Sequence, residues 1–248
     1  MEVTPDERMR VAETWNFRYI AELRAAKRFT RLAVELRETG AAPEVLRLAE
    51  AAIDDEKRHA ALCRTVATEY GYPFDETEVT IEAVPLAPPE LDRNDALLFE
   101  IVAFCCITET VNTAMLVDTL SFAKDTRIRE AVRTILRDEV NHSKLGWAHL
   151  AHETARGRGS FLSSWLIPMF GQLGIQEILH RDGSRDSASL AYHGELNDSR
   201  RVALFGEAIY DIVLPGLENS GVQTRNLRNW LHEQGVARTT RNNMLAMS

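Results

Sequence analysis

The sequence predicts an all-α protein, a four-helix bundle with one long crossover followed by a C-terminal helical extension. Three observations predict it. Long stretches with no internal Pro are separated by links that run short, long, short. Two copies of one pattern, Asp55-Glu56-Lys57-Arg58-His59 and Asp138-Glu139-Val140-Asn141-His142, sit on the second and fourth of those stretches. The composition, 45% apolar and 27% charged over 248 residues, is that of a soluble globular chain.

The first helix is expected over about 6–38, with Pro5 and Asp6 at its start and Gly40 past its end. The second runs from about Pro43 to Glu69 and stops before Gly71 and Pro73. Residues 71–90 hold Pro73, Pro85, Pro88 and Pro89 around an extended Val79-Thr80-Ile81 stretch, so they form a connection. The third helix covers about Leu91 to Ala123. The fourth covers about Thr126 to Ala155 and ends before Gly157 and Gly159. Short links make antiparallel hairpins, and the long one lets the third helix run parallel to the second. The boundary of the bundle falls at residue 156. Residues 157–248 are expected to pack on it with helices at about 161–179, 200–217 and 222–233. The polar segment 181–199, with Arg181-Asp182-Gly183-Ser184, is expected to be a flexible loop. The only repeat is the bundle's doubling of its hairpins.

Composition excludes several classes. The net charge of −8 argues against a nucleic-acid or anionic-membrane partner. Met1 to Arg10 has no apolar h-region, and Phe161 to Leu179 is interrupted by Ser, Pro, Gln and Glu, so neither a secretory signal nor a membrane span is expected. Three cysteines, Cys63, Cys105 and Cys106, contain no Cys-x-x-Cys pair, which leaves no disulfide framework and no cysteine-ligated zinc or iron site. The expected location is the cytoplasm.

A Glu and a His three residues apart leave the same face of a helix. One such pair means little among 37 acidic residues. Two pairs, each with a carboxylate at matching depth on the preceding helix, describe a metal centre. In an antiparallel hairpin, residues at equal depth lie equally far from the turn. Glu22 and the Glu56/His59 pair are centred on positions 39 to 40.5, at Gly40. Glu109 and the Glu139/His142 pair are centred on 124 to 125.5, at Lys124-Asp125. Glu13, Glu35 and Glu100 would put the centres inside helices, and Glu100 lies about 13 Å along the axis from Glu109. The ligand set is therefore Glu22, Glu56, His59, Glu109, Glu139 and His142. Four buried carboxylates and two imidazoles need compensating charge, which two divalent cations supply. Mixed oxygen and imidazole ligation suits iron or manganese: two Fe ions, an Fe/Mn pair or two Mn ions. Asp55 and Asp138 each precede a ligand Glu and are placed to reach the His of the facing helix, with Arg58 balancing their charge. The neighbours at helical spacing are small or apolar (among them Ala25, Ala60, Cys63, Cys105, Cys106, Leu116, Ile135 and Gly146). Such a lining favours an organic substrate over aqueous iron.

These six ligands and their order resemble the ferritin-like di-iron carboxylate superfamily over residues 6–156. Rubrerythrins, bacterioferritins, ribonucleotide reductase small subunits and bacterial multicomponent monooxygenases belong to it. Asp55-Glu56-x-Arg58-His59 is similar to the Asp-Glu-x-Arg-His motif of the monooxygenase hydroxylases; the second copy has Asn141 in place of Arg. Thr113, four residues after Glu109, matches the hydroxylases' active-site threonine, which implies a role in proton delivery beside Glu109 as a bridging carboxylate. The extra Glu of rubrerythrins is replaced by Cys106, and the extra His of arylamine N-oxygenases by Ile135. Tyr19 is the nearest candidate for a radical tyrosine and a weak one. The resemblance implies a non-haem di-iron oxygenase or oxidase that activates O2 to oxidise a small organic substrate, with an external electron donor. The alternatives are a ferroxidase or rubrerythrin-like peroxidase, and a non-catalytic helical binding or assembly protein. The C-terminal helices would serve as a lid or as a homodimer surface.

Overall fold

In the computed structural model of this chain, residues 3–75, 81–180 and 186–238 are described. Val79, Thr80 and the Arg181–Ser184 run lie outside them, as do 239–248. Among the described residues the chain is helical, with no strand. Helix α1 spans Pro5–Glu38. Thr4 caps it through a reciprocal pair with Glu7, and Pro5 at its first turn lacks only an N–H that no helical carbonyl would have accepted. Helix α2 spans Pro43–Glu69. Helix α3 spans Arg93–Phe122, starting two residues later than expected because the Asp92 carboxylate caps it on the N–H groups of Asn94 and Asp95. Helix α4 spans Thr126–Ala155, capped by Asp125.

Polar contacts at the ends give the chain directions. Arg8, at the start of α1, donates to the carbonyls of Glu69 and Tyr70 at the end of α2. Arg93, at the start of α3, pairs with Glu38 at the end of α1. The end of α2 and the start of α3 therefore lie at opposite ends of the bundle, and α3 runs parallel to α2. Buried Glu100 holds that crossover in place. Its carboxylate is paired with Arg28 and Arg31 of α1 and accepts the N–H groups of Leu86, at 2.8 Å, and Ala87. Helix α1 packs on α2 and α3, and α4 packs on α2 and α3, which closes a four-cornered bundle.

Helix α3 is not regular. Val102–Thr108 is a π-helical segment that ends at Glu109. Opposite it, Gly146 of α4 sits so close that a Cβ there would lie 2.7 Å from the Cys105 Cβ and 2.9 Å from the Cys106 nitrogen. Only glycine allows that approach. By length and composition Arg93–Phe122 also passes as a membrane span, but it is mostly buried and looks like the core helix of a soluble protein.

After the bundle come α5 (Leu162–Gln172) and α6 (Ile175–Leu179), one helix by expectation and two in fact. Gly174, at φ 67°, takes a left-handed conformation that breaks the run. The described part of 181–199 is not an open loop. It carries α7 (Ala188–Tyr192) and buried His193, Glu195 and Asp198. Tyr192 accepts the backbone N–H groups of Lys124 and Asp125 at the α3–α4 turn. The Tyr70 hydroxyl lies 2.5 Å from His193 Nδ1. Helix α8 covers 198–219 with a π turn at Ile209–Val213, and α9 spans Arg225–Glu233. One apolar cluster joins Phe99, Val102 and Ile107 of α3 to Leu162, Phe170, Phe205, Ile209, Leu217 and Leu227, so the extension shares a core with the third bundle helix.

Candidate metal centre

Glu22, Glu56, His59, Glu109, Glu139 and His142 are all buried, at 7% exposure or less. They come from the middle of all four bundle helices. Their donor atoms form two groups. Glu22, Glu56, His59 and Glu139 offer atoms within 4.8 Å of one another, and so do Glu56, Glu109 and His142. Glu56 is common to both groups. Glu109, expected as the bridging carboxylate, belongs to one of them. Glu139 faces both histidines, 3.8 Å from His59 Nδ1 and 3.1 Å from His142 Nδ1.

Both imidazoles turn Nδ1 into the cluster and Nε2 away from it. His59 Nε2 lies 3.2 Å from Asp138 Oδ2, and His142 Nε2 lies 3.4 Å from Asp55 Oδ2. Each Asp thus sits on the helix facing its histidine. Arg58 spans the two carboxylates, pairing with Asp55 and donating to Asp138 at 3.1 Å. A proton held on Nε2 by an aspartate leaves the Nδ1 lone pair for the cluster.

The electrostatics are those of a crowded, dehydrated anionic site. Burial and the neighbouring Glu56 carboxylate push Glu22 well above the usual carboxylate range. Burial, with Glu139 and Glu56 beside it, does the same to Glu109. Burial also opposes the charge of Glu56, but His142 and His59 outweigh it and draw its carboxyl down to about 2. His142 resists burial in the same way, held up to about 12 by Glu139 and Glu56. Without a cation the site therefore favours the protonated forms of Glu22, Glu109 and His142.

A cation fits this donor set. Both oxygens of Glu56 and Nδ1 of His59 are buried with no hydrogen-bond partner of good geometry, although His142 Nδ1 lies 3.2 Å from Glu56 Oε1. Carboxylate oxygens and an imidazole nitrogen buried together without partners of good geometry are costly unless they ligate something. The cluster could hold a metal ion.

Around the cluster, Asn112 and Phe29 escaped the reading of the sequence. Asn112 Nδ2 donates to Glu139 Oε1 at 3.3 Å, and its position three residues after Glu109 was the available signal. Phe29, seven residues after Glu22, packs its ring 5.1 Å from that of His142. The Thr113 hydroxyl is buried without a partner. The small and apolar neighbours expected to line a pocket instead fill the core: Cys63, Leu116 and Ile135 pack in one cluster, Ala25 and Cys105 in another, and Cys106 in the cluster shared with the extension. The open recess lies one helix face away, between α3, α4 and α8. It has a volume of about 590 Å³ and takes in Thr110, Thr113, Ser143 and Trp147. Glu13, Glu35 and Glu100 stand outside the cluster. Glu35 pairs with Arg31, and Glu13 borders a surface groove with Phe17. Tyr19 accepts a hydrogen bond from Arg64 and packs edge-on to Phe74.

Comparisons of this chain with protein-family models, with curated proteins and with solved structures gave no match.

Proposed function

We propose that this chain is a ferritin-like di-metal protein that uses two iron ions to activate O2 and oxidise a small organic substrate. The observation that carries the reading is Glu56, the carboxylate common to two buried Glu/His groups, flanked by a histidine of each group whose far nitrogen meets an aspartate. One such group describes a mononuclear site. Two groups sharing a carboxylate would hold a pair of ions.

Glu22, Glu56, His59 and Glu139 would hold one ion, and Glu56, Glu109 and His142 the other. When bound in the reduced state, the ions would supply the electrons that O2 needs. The chain's own part is positional and protic. Asp138 and Asp55 fix the imidazole planes and the Nδ1 lone pairs. Glu22 and Glu109, whose protonated forms burial favours, would give up any bound proton on ligating a cation. The unpartnered Thr113 hydroxyl, one turn from Glu109, is placed to carry a proton between the recess and the cluster. Packed apolar side chains such as Phe29 and Ile135 exclude water. The recess beside the cluster favours an organic substrate over the ferroxidase reading, since its walls include exposed Val117, Val140 and Ile212.

The reading is tested by loading the protein with ferrous iron anaerobically, admitting oxygen, and following oxygen uptake together with optical and Mössbauer spectra. The expected result is rapid oxygen uptake with the spectrum of a coupled ferric pair, lost in Glu56→Ala. Iron accumulating as a mineral far beyond the ligand set would support ferroxidation instead. No oxygen uptake by the iron-loaded chain would contradict both.

A further inference from the structure

We infer that the recess between α3, α4 and α8 binds a largely apolar small molecule that is neutral or carries an amine, and that it discriminates against carboxylates and phosphates. The inference rests on the di-metal reading for its catalytic meaning, but its evidence is separate. Thr110, Val140 and Ser143 in the walls are the immediate chain neighbours of Glu109, Glu139 and His142, and Thr113 lies one turn beyond Glu109. The far wall comes from α8 of the extension, through Leu204, Ala208 and Ile212.

The walls ask for an apolar body. Val117, Val140 and Ile212 are 52%, 59% and 48% exposed, three large aliphatic side chains opening on one recess. Covering them removes apolar surface from water. They also ask for a hydrogen-bonding group. The hydroxyls of Thr110, Thr113 and Ser143 are buried without a partner, and Thr110 is only 5% exposed. Thr119, away from the recess, shares this state, whereas five other threonines do not. Thr30, Thr65, Thr68, Thr134 and Thr154, all helical, close their hydroxyls onto the carbonyl four residues earlier. The wall threonines do not, so their hydroxyls are left for a ligand.

Charge decides against an anion. Among the described residues the one cation in the walls is Arg200, and it is already engaged. It donates to Asp118 from Nε at 2.9 Å and Nη2 at 2.5 Å, and to Glu207 at 3.3 Å. Asp211, on the same wall, accepts from Arg238 at 2.9 Å. One guanidinium shared by two carboxylates leaves the wall negative, which repels an anion and attracts an ammonium.

The test uses three probes of one shape, phenylbutylamine, phenylbutanol and phenylbutanoate, with the metal-loaded protein. The four tryptophans are replaced by fluorotryptophan, and the resonance of Trp147, which lines the recess, is assigned with Trp147→Phe. The amine and the alcohol should shift the Trp147 signal and leave that of Trp15 unmoved. The carboxylate should bind at least about tenfold more weakly. Thr110→Val combined with Thr113→Val should weaken the alcohol by about thirtyfold, the loss of two hydrogen bonds. Ala114→Leu, which fills the recess, should abolish the shift and leave metal content unchanged. A Trp147 signal that none of the probes moves overturns the site. Carboxylate binding as tight as that of the amine overturns the ligand class, and an unchanged affinity in the double threonine variant overturns the role of the hydroxyls. Probe binding by a chain that takes up no metal would defeat the proposed function and leave this inference standing; metal uptake without probe binding would do the reverse.

Discussion

At the level of single residues, several buried side chains lack the partners that their type ordinarily finds. Thr113 is the sharpest case. A helical threonine usually closes on the preceding turn, and this one does not. Thr113→Val keeps the shape and removes the hydroxyl. Metal content should stay at the wild-type value while the peroxide released per O2 consumed rises several-fold, because proton delivery and turnover become uncoupled. Thr113→Ser should behave as wild type. Equal peroxide release by Thr113→Val and wild type would reduce Thr113 to packing. His149 lies two turns beyond His142 and is buried with Nδ1 unpartnered; burial depresses it from 6.5 to about 4. The unfolded chain binds that proton near 6.5 and the folded chain only near 4, so between those values the unfolded state holds more protons. The stabilising contribution is complete above about pH 6.5 and is lost as the pH falls through about 4, at most about 3 kcal/mol in all. Urea midpoints measured between about pH 7 and pH 4 should fall less steeply for His149→Leu than for wild type. Parallel slopes would contradict the assignment.

At the element scale, the close crossing of α3 and α4 sets the geometry of the cluster. Gly146→Ala would place a methyl 2.7 Å from Cys105 Cβ and 2.9 Å from backbone atoms. The helices must part, at a cost of about 1–3 kcal/mol. Glu109 lies three residues past Cys106, and His142 four before Gly146, so metal content should fall with stability. Gly171→Ala, where a Cβ meets nothing within 4 Å, should do neither. Thermal unfolding and elemental analysis of the two variants check this, and equal behaviour would show that the crossing does not govern the site. The ends of α1, α2 and α4 were legible in the sequence because Pro5, Pro43, Gly40 and Gly157 are chemical markers of starts and stops. The π segment was not. It spans Val102–Thr108, and its first six residues, Val102–Ile107, are an unbroken apolar run with no polar residue to mark the phase of the helix. Helix α7, of five residues, is too short to show a period, and the break at Gly174 could be read only from its backbone angle.

At the scale of the whole molecule, two hairpins bring six ionisable groups from four helices into one buried cluster, and a C-terminal extension adds a wall beside it. The cluster was legible because hairpin symmetry ties depth to sequence position, which also kept Glu100 out. That carboxylate is buried and looks like a ligand in composition, yet Arg28 and Arg31 consume it at the crossover. The recess was not legible, because it depends on where α8 docks, and no spacing within the bundle encodes that. The central claim is the paired metal site, and metal content per chain tests it most directly. Elemental analysis after anaerobic loading with ferrous iron and removal of free metal should give about two ions per chain in the wild type and in Glu100→Gln, and clearly fewer in Glu56→Ala and Glu139→Ala. Less than about one ion per chain in the folded wild type, or an Glu56→Ala variant that holds as much metal as the wild type, would contradict it.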